Sequence, residues 1–457
     1  MGCSFISELM QMECSDIKDT VLYEVLKPIQ HITIRWMADG ILEENNDDFF
    51  IVHEPSVDDW FSDEIIFSKT NKLDFLGKTK LDDIYNIGRH IRLLLKHKVS
   101  KRFNDKITLL RDHIQRTLID QKESLLLKLS EDLTSIQAQT SILLLEMFVN
   151  EFNLFMYFEG LKNYMLFGRG DFYAYVVYKL DAFFEKHAIH NYQLKGIVED
   201  AYELTSAAND SIKIFDCLKY KTVLGGSILD WHSLKFEYII HEPLTKLFSP
   251  CINIYGDIFE FLWRLKEIDY TIVKFWYKFT LFTKKIHIGS KLKPVLRNVN
   301  ALLFNMINCI HEIQNFTFEI INEKWKIFQK IIKNADSVET IMEEHKIFLN
   351  TLIKFLLDAS LKNYVESFQR NVKRMVVIQN FTTLFDNNGI NSQYDSFVEK
   401  FLRVQKNYKV DLDSFLLKLI NNEEQFLGTL AMRIDFNDYY LSNTTCVYRA
   451  APCIIVS

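Results

Sequence analysis

The sequence predicts an all-α fold, an elongated stack of helical bundles with at most short extended segments, and three observations carry that expectation. Glycine (14) and proline (6) are scarce across 457 residues, and no proline occurs from 56 to 242 or from 295 to 451. A β-rich fold of this size would need many more of both in its turns. Apolar residues also recur at spacings of three and four over long stretches, which gives each stretch one buried helix face. With 48% hydrophobic and 25% charged residues the chain is globular in composition, and its length suits two or three cores rather than one.

Taken in order, residues 20–37 read as a helix closed by the turn Asp39-Gly40. Phe49, Phe50, Ile51 and Val52 form a short extended piece inside an acidic stretch. From about 80 to 165 the pattern is helical again, with Ile84, Ile87, Ile91, Leu94 and Leu95 spaced for one face, and it continues in separate helices through Leu133, Ile136 and Ile142. Residues 171–190 and 191–211 are the next two helices, and Leu234 to Ile240 alternates as a strand-like link. Tyr255–Lys285 reads as one long helix or a kinked pair. Single apolar stripes follow at Val295, Val299, Leu302, Met306, Ile310 and Ile313, then at Val338, Ile341, His345, Phe348, Leu352 and Phe355.

Between two of these helices lies Leu161-Lys162-Asn163-Tyr164-Met165-Leu166-Phe167-Gly168-Arg169-Gly170-Asp171-Phe172. Its local reading is a helix C-cap followed by an N-cap. The glycines permit a left-handed turn, and Asp171 accepts from the free amides of the next helix.

A net charge of -6 excludes a chain-wide nucleic-acid binder, which carries a basic excess. Charge is nevertheless segregated. Asp39 to Glu64 holds ten acids and no Lys or Arg, whereas Lys274 to Arg297 holds seven cations and no acid, interleaved with Trp276, Tyr277, Phe279 and Phe282. Three readings of the basic segment stand: a solvated helix face, a stacking or interfacial surface, and a dock for an acidic protein.

Catalytic and metal chemistry find little footing. Asp230, His232 and Ser233 are near neighbours in sequence without a Gly-x-Ser-x-Gly elbow, and triad members come from distant points of a chain. Glu343-Glu344-His345 and His311-Glu312 lack an HExxH pattern, and Gly168-Arg169-Gly170 and Gly225-Gly226 lack the frame of a phosphate loop. Seven scattered cysteines without CxxC spacing suit reduced thiols. No catalytic residue, metal or cofactor is expected. The apolar segment 141–167 is interrupted by Glu146, Glu151, Glu159 and Lys162, so no membrane insertion is expected either.

Several segments, in order, resemble the gamma-tubulin complex component family. The Gly168-Arg169-Gly170-Asp171-Phe172 turn after an apolar helix is similar to the start of the family's second module. Ahead of it, Pro28, Trp36, Gly40, Leu42 and Asp48-Phe49-Phe50-Ile51 resemble the end of the first module. Behind it come Leu194-Gly196-Ile197 and Thr205–Ser211, then Trp231, Leu234, Tyr238 and Pro243-Leu244. Tyr255, Phe259, Phe261-Leu262-Trp263-Arg264-Leu265-Lys266 and Tyr270 follow, then His311, Gln314, Phe318-Glu319, Trp325, His345 and Phe348-Leu349. Arg433-Ile434-Asp435-Phe436-Asn437-Asp438-Tyr439-Tyr440 resembles the family's terminal motif, and the nearest pattern throughout is the third component.

That resemblance implies a non-enzymatic, gamma-tubulin-binding scaffold that nucleates microtubules at microtubule-organising centres and spindle poles and caps minus ends. Its implied partners are gamma-tubulin, the second component and other sister components, and microtubule minus ends, with no nucleic acid. The implied organisation is a shortened amino-terminal module at 1–137, a carboxy-terminal gamma-tubulin-binding module at 138–445 and a tail at 446–457. Candidate gamma-tubulin contacts are Arg169, Lys284, Lys285, Lys291, Lys293, Arg297, Arg433, Asp435, Phe436, Asn437 and Tyr440. The competing expectations are a helical adaptor without tubulin binding, and a nucleic-acid binder that uses 274–297.

Overall fold

The computed structural model describes residues 15–42, 49–53, 65–67, 77–120, 130–184, 189–222, 227–228, 234–285, 293–377, 385–386, 389–390, 394–421 and 425–436. Among them the fold is all-α, with fourteen α-helices. In chain order the first elements are α1 (Ser15–Asp39), β1 (Ile51–His53), β2 (Ile65–Phe67), α2 (Lys78–Lys96), α3 (Lys101–Asp120), α4 (Ser130–Glu146) and α5 (Leu154–Gly160). Next come α6 (Gly170–Phe184), β3 (Ile189–His190), α7 (Asn191–Leu204), α8 (Ile212–Asp216), β4 (Leu218–Thr222), β5 (Ser227–Ile228) and β6 (Leu234–Tyr238). The remainder is α9 (Thr245–Lys285), α10 (Lys293–Ile332), α11 (Val338–Leu356), α12 (Ala359–Val377), β7 (Phe385–Asp386), β8 (Gly389–Ile390), α13 (Tyr394–Ile420) and α14 (Gln425–Ile434).

The strands form four two-stranded antiparallel pairs, β1–β2, β3–β5, β4–β6 and β7–β8. The longest joins Leu218–Thr222 to Leu234–Tyr238 in register. The alternation expected at 234–240 is therefore a strand, with Leu234, Phe236 and Tyr238 inward. The extended piece expected after Phe49-Phe50 is β1, and Phe49, Phe50 and Ile51 are all buried. Tyr255–Lys285 belongs to one helix, which starts earlier, at Thr245.

The chain divides into two compact units. The first comprises 1–159, 240–252 and 329–346. In it α1 docks on α2 through Trp36, which is fully buried and donates its indole N–H to the Ile84 carbonyl at 3.0 Å. The ring lies so close to the α2 backbone that a Cβ on Gly88 would meet it at 2.1 Å, so only glycine leaves it room. Of the apolar stripe read from sequence, Ile84, Ile87, Ile91 and Leu94 are inward as expected, whereas Leu95, one residue on and so rotated off that face, is exposed. His90 is buried between the Thr140 hydroxyl (3.3 Å) and the Glu339 carboxylate (2.8 Å), and Arg89 donates to the same carboxylate oxygen at 3.0 Å. His345 is fully buried, edge-on to Phe158 and Phe248. That apolar cage penalises the imidazolium and pushes the His345 pKa down to about 3.

The second unit comprises 160–239, 253–328 and 347–457. Its helices are tied by side chains that the sequence had already singled out. Gln314 on α10 donates to the Leu265 carbonyl of α9 at 3.1 Å, and His311 meets Asp269 at 3.0 Å. Arg264 donates to Glu366 on α12 at 2.7 Å. Trp325, Phe328 and Phe348 pack ring to ring at 5.4–5.7 Å. Among the described residues no single helix is long and apolar enough to cross a membrane, and no group of three or more His, Cys, Asp or Glu side chains is placed to hold a metal. Cys217, Cys251 and Cys309 are buried free thiols.

Candidate partner-binding surface

The segment after α5 does not end as an ordinary helix. Residues Leu161–Met165 widen into a π-helical turn, and the chain then closes with Gly168 N–H donating to the Lys162 carbonyl (3.0 Å) and Arg169 N–H to the Asn163 carbonyl (3.1 Å). The left-handed residue of this turn is Phe167 (φ 57°), not a glycine. Gly168 is required for a different reason from the one expected: a Cβ there would stand 2.8 Å from the Lys162 carbonyl oxygen and 2.9 Å from the Asn163 Cα. Gly170 has open space around it. Asp171 does more than the expected cap, in which amides of the first turn of α6 help lower its carboxyl. It lies inside the first turn of α6 and caps across the fold, accepting from the Ser206 amide at 2.6 Å and the Ser206 hydroxyl at 2.7 Å. Those hydrogen bonds hold its carboxyl below the usual range despite partial burial.

The turn is organised around Asp210, whose side chain is 2% exposed. Its carboxylate accepts from Arg169 Nε (3.1 Å) and Arg169 Nη2, from the Tyr164 hydroxyl (3.2 Å) and from Asn163 Nδ2 (3.2 Å). Burial and the adjacent carboxylate push the Tyr164 phenol well up, so it stays a donor. Arg169, a candidate contact from sequence, is thus bidentate on a buried acid, an arrangement that fixes geometry as well as charge. Asp210 was not singled out in the sequence; its only signal was the small polar stretch Thr205–Ser211. Beneath the turn, Tyr173 packs against Phe167, Phe236, Phe259 and Trp263 at ring separations of 4.1–6.2 Å. Residues of three separate sequence motifs make one aromatic cluster.

Two distant segments meet on α10. Lys162 donates to Asn322 Oδ1 at 2.9 Å, and Arg433 of α14 pairs with Glu319 at 2.7 Å. Glu319 and Asn322 are three apart on one helix, hence neighbours on its surface. Lys162 is half-buried there, and desolvation lowers its pKa to about 8. Beside Arg433, α14 exposes Met432 (68%), and the turn that follows the helix exposes Phe436 (90%). Asp435, between them in sequence, is buried at 3% and is placed in the packing rather than on the surface. Its carboxylate helps raise the neighbouring Asp413, after burial.

The basic candidates lie elsewhere. Lys284 at the end of α9 and Lys293 and Arg297 at the start of α10 are exposed, and Trp276 bridges the two helices by donating to Asn300 Oδ1 at 3.1 Å. From Arg297 to Glu319 is ~33 Å along α10 at ~1.5 Å per residue. Arg169 apart, the structure therefore separates the described candidates into two groups, one at the start of α10 and one beside Glu319 further along it. Lys285 falls in α9, while Lys291, Asn437 and Tyr440 lie outside the described residues, as do Trp231 and the Asp230, His232 and Ser233 set.

A family profile described as gamma tubulin complex component C-terminal matches residues 154–440, a span that contains both groups. Among curated relatives, the chain is 24% identical to gamma-tubulin complex component 3 homolog of Xenopus laevis, over 92% of this chain and 52% of that protein. It is 22% identical to gamma-tubulin complex component 3 of Homo sapiens with the same two coverages. It is 20% identical to spindle pole body component alp6 of Schizosaccharomyces pombe, over 94% of this chain and 55% of that one. The chain spans about half the length of the curated relatives it matches.

Proposed function

The chain belongs to the gamma tubulin complex component C-terminal family, and from that premise we propose that it is a non-enzymatic scaffold subunit of a gamma-tubulin complex. In this reading residues 138–445 hold gamma-tubulin, and residues 1–137 take part in side-by-side association with sister components such as component 2. The complex nucleates microtubules at organising centres and spindle poles and caps their minus ends. The observation that carries the reading is the family match across 154–440. Relatives named as components of gamma-tubulin complexes and of a spindle pole body support it.

The mechanism is proximity. A rigid helical unit that fixes one gamma-tubulin beside the next removes much of the translational and rotational entropy that otherwise opposes assembly of a nucleus. The unit's job is then geometric, which suits a site built on long packed helices rather than on loops. We place the contact on two patches of the second unit. One is the apolar pair Met432 and Phe436 beside Arg433, a composition suited to an interface core. The other is the cationic end formed by Lys284, Lys293 and Arg297, with Lys285 and Lys291 in the same run, suited to steering an acidic partner.

Affinity purification of the tagged chain from its own cells tests the proposal. Recovery of both gamma-tubulin and a sister component is the expected result. Recovery of sisters without gamma-tubulin would favour the helical-adaptor reading. Recovery of neither, with salt-sensitive binding of single-stranded nucleic acid by the 274–297 segment, would replace the proposal altogether.

A further inference from the structure

The outer face of the α9–α10 pair carries an apolar strip that the gamma-tubulin contact leaves unused. On α9, Val273, Tyr277 and Leu281 are four residues apart and so form one line along the helix surface, with Trp276 beside them, and all four are exposed. On α10, Phe304 is more than half exposed. Hydrogen bonds between the two helices fix where these residues stand. His311 meets Asp269 at 3.0 Å, and Trp276 donates to Asn300 Oδ1 at 3.1 Å. Val273 lies between Asp269 and Trp276 on α9, and Phe304 lies between Asn300 and His311 on α10. The two therefore flank the seam of an antiparallel helix pair, and the exposed hydrophobes are joined in one strip rather than scattered singly.

The charge around this strip has one sign. From Tyr270 to His311, which takes in the second half of α9 and the first of α10, the chain has no Asp or Glu. Lys274 is drawn to Asp181 of α6. Lys284, Lys293 and Arg297 are exposed and make no ion pair among the described residues. Lys284 lies three residues after Leu281 and seven after Tyr277, and Arg297 lies seven before Phe304, so the strip ends in cations on both helices. From Val273 to Lys284 is ~17 Å, about three turns, at ~1.5 Å per residue. A groove of that length between two helices accepts a third, whose apolar anchors recur every three or four residues. Cations at its end select carboxylates.

Two other classes of occupant fit less well. A tryptophan that anchors at a membrane interface presents its N–H to the wet headgroup layer, whereas that of Trp276 is taken by Asn300. Single-stranded nucleic acid is held by stacking, and Val273 and Leu281 offer no ring to stack on. We propose that the strip from Val273 to Leu281 and Phe304 form a docking groove for an acidic amphipathic helix of a partner protein other than gamma-tubulin. The groove shares its cations with the second gamma-tubulin patch and to that extent rests on that reading. Its apolar residues belong to neither patch. Along α10, ~22 Å separates Phe304 from Glu319, the partner of Arg433, which leaves the Met432 and Phe436 anchor clear.

The test titrates the full chain into a fluorescently labelled designed helix of about four turns, leucine on one face and glutamate on the other, and follows anisotropy. Micromolar binding is expected, weaker by at least ~10-fold in Tyr277→Asp with Phe304→Asp, and weaker for the parent by at least ~10-fold when lysine replaces the peptide's glutamates. Both positions are exposed, so the variant should melt with the parent. The milder pair Tyr277→Ala with Phe304→Ala should weaken binding in the same direction. Saturating gamma-tubulin is expected to leave the peptide bound. Equal affinity of parent and both variants, or no binding at all, would overturn the groove. Equal affinity for the glutamate and lysine peptides would overturn the acidic partner, and displacement by gamma-tubulin would make gamma-tubulin the occupant. Capture of phosphatidylserine vesicles or a single-stranded oligonucleotide instead of the peptide, lost in the same variants, would replace the helix with a membrane or a nucleic acid. A chain that binds the peptide but not gamma-tubulin would sink the gamma-tubulin reading and leave the groove standing.

Discussion

The turn at 161–171 and the basic run at 274–297 are the two most distinctive segments of the sequence, and they put their charges to opposite uses. In the turn, Arg169 is spent internally, bidentate on a buried aspartate that also takes Tyr164 and Asn163. In the basic run, Lys274 is drawn inward onto Asp181, but Lys284 and, beyond it, Lys293 and Arg297 remain exposed. A distinctive motif can thus report a constraint on folding, and a plain run of lysines a surface open to a partner. The difference is burial: a desolvated charge must be paired and becomes structural, whereas a hydrated one remains available at little cost.

The sharpest way to break this contrast is Asp210→Ala. It strands the Arg169 guanidinium and two further donors in a desolvated site, so unfolding free energy should drop by about 3–5 kcal/mol in a denaturant titration. A loss under about 1 kcal/mol would mean that the turn is not held by its acid.

The next largest effect concerns pH. His345 has a folded pKa near 3 against an unfolded value near 6.5, so the unfolded chain takes up a proton that the folded chain refuses. The corresponding stability is fully present above about pH 6.5 and is lost as pH falls, by about 1.4 kcal/mol per unit, until the folded pKa is reached. Denaturation midpoints at pH 7 and pH 5 should therefore diverge less in His345→Leu than in the parent. Equal divergence would show that the cage admits the imidazolium.

Gly168→Ala and Gly170→Ala form a matched pair. The first drives a Cβ into backbone atoms at 2.8–2.9 Å and should cost about 1–3 kcal/mol, while the second, with open space around it, should stay within about 0.5 kcal/mol. Similar costs at both positions would restore the simpler view in which both glycines serve the turn's conformation.

On the surface the effects move from stability to affinity. Met432→Ala with Phe436→Ala should leave melting unchanged and weaken gamma-tubulin binding by about tenfold, the loss of a small apolar anchor. Lys284→Ala, Lys293→Ala and Arg297→Ala together should weaken binding less, about threefold, and mainly at low salt, since exposed charges steer rather than hold. An effect of the triple change that survives high salt would move the interface core to the α9–α10 end.

Much of this was legible in the sequence, for identifiable reasons. Helix faces were, because Ile84, Ile87, Ile91 and Leu94 obey a local periodicity and local periodicity decides burial. The strand at 234–238 was too, from its alternation. The partners that complete each motif were not. Asp210 lies 41 residues from Arg169, Glu319 lies on a different helix from Arg433, and Tyr238 sends its hydroxyl to the Ile214 carbonyl. Such pairings depend on tertiary packing, and no spacing rule encodes them. Phe167 is a further case: an aromatic in the left-handed region is unexpected when two glycines stand beside it. It is tolerated because its ring is buried and stacked on Tyr173 at 4.1 Å. Asp435 was unreadable in the same way, since a charged residue in a polar terminal motif looks exposed until the packing of α14 is known.

The central claim is that the second unit of this chain holds gamma-tubulin, and the most direct measurement is binding of purified gamma-tubulin to the purified chain at micromolar concentration by size-exclusion chromatography. The account predicts a single co-eluting complex that the Met432→Ala, Phe436→Ala double variant, folded as judged by its melt, fails to form as completely. Separate elution of the two proteins, with the parent chain folded and monodisperse, would contradict it.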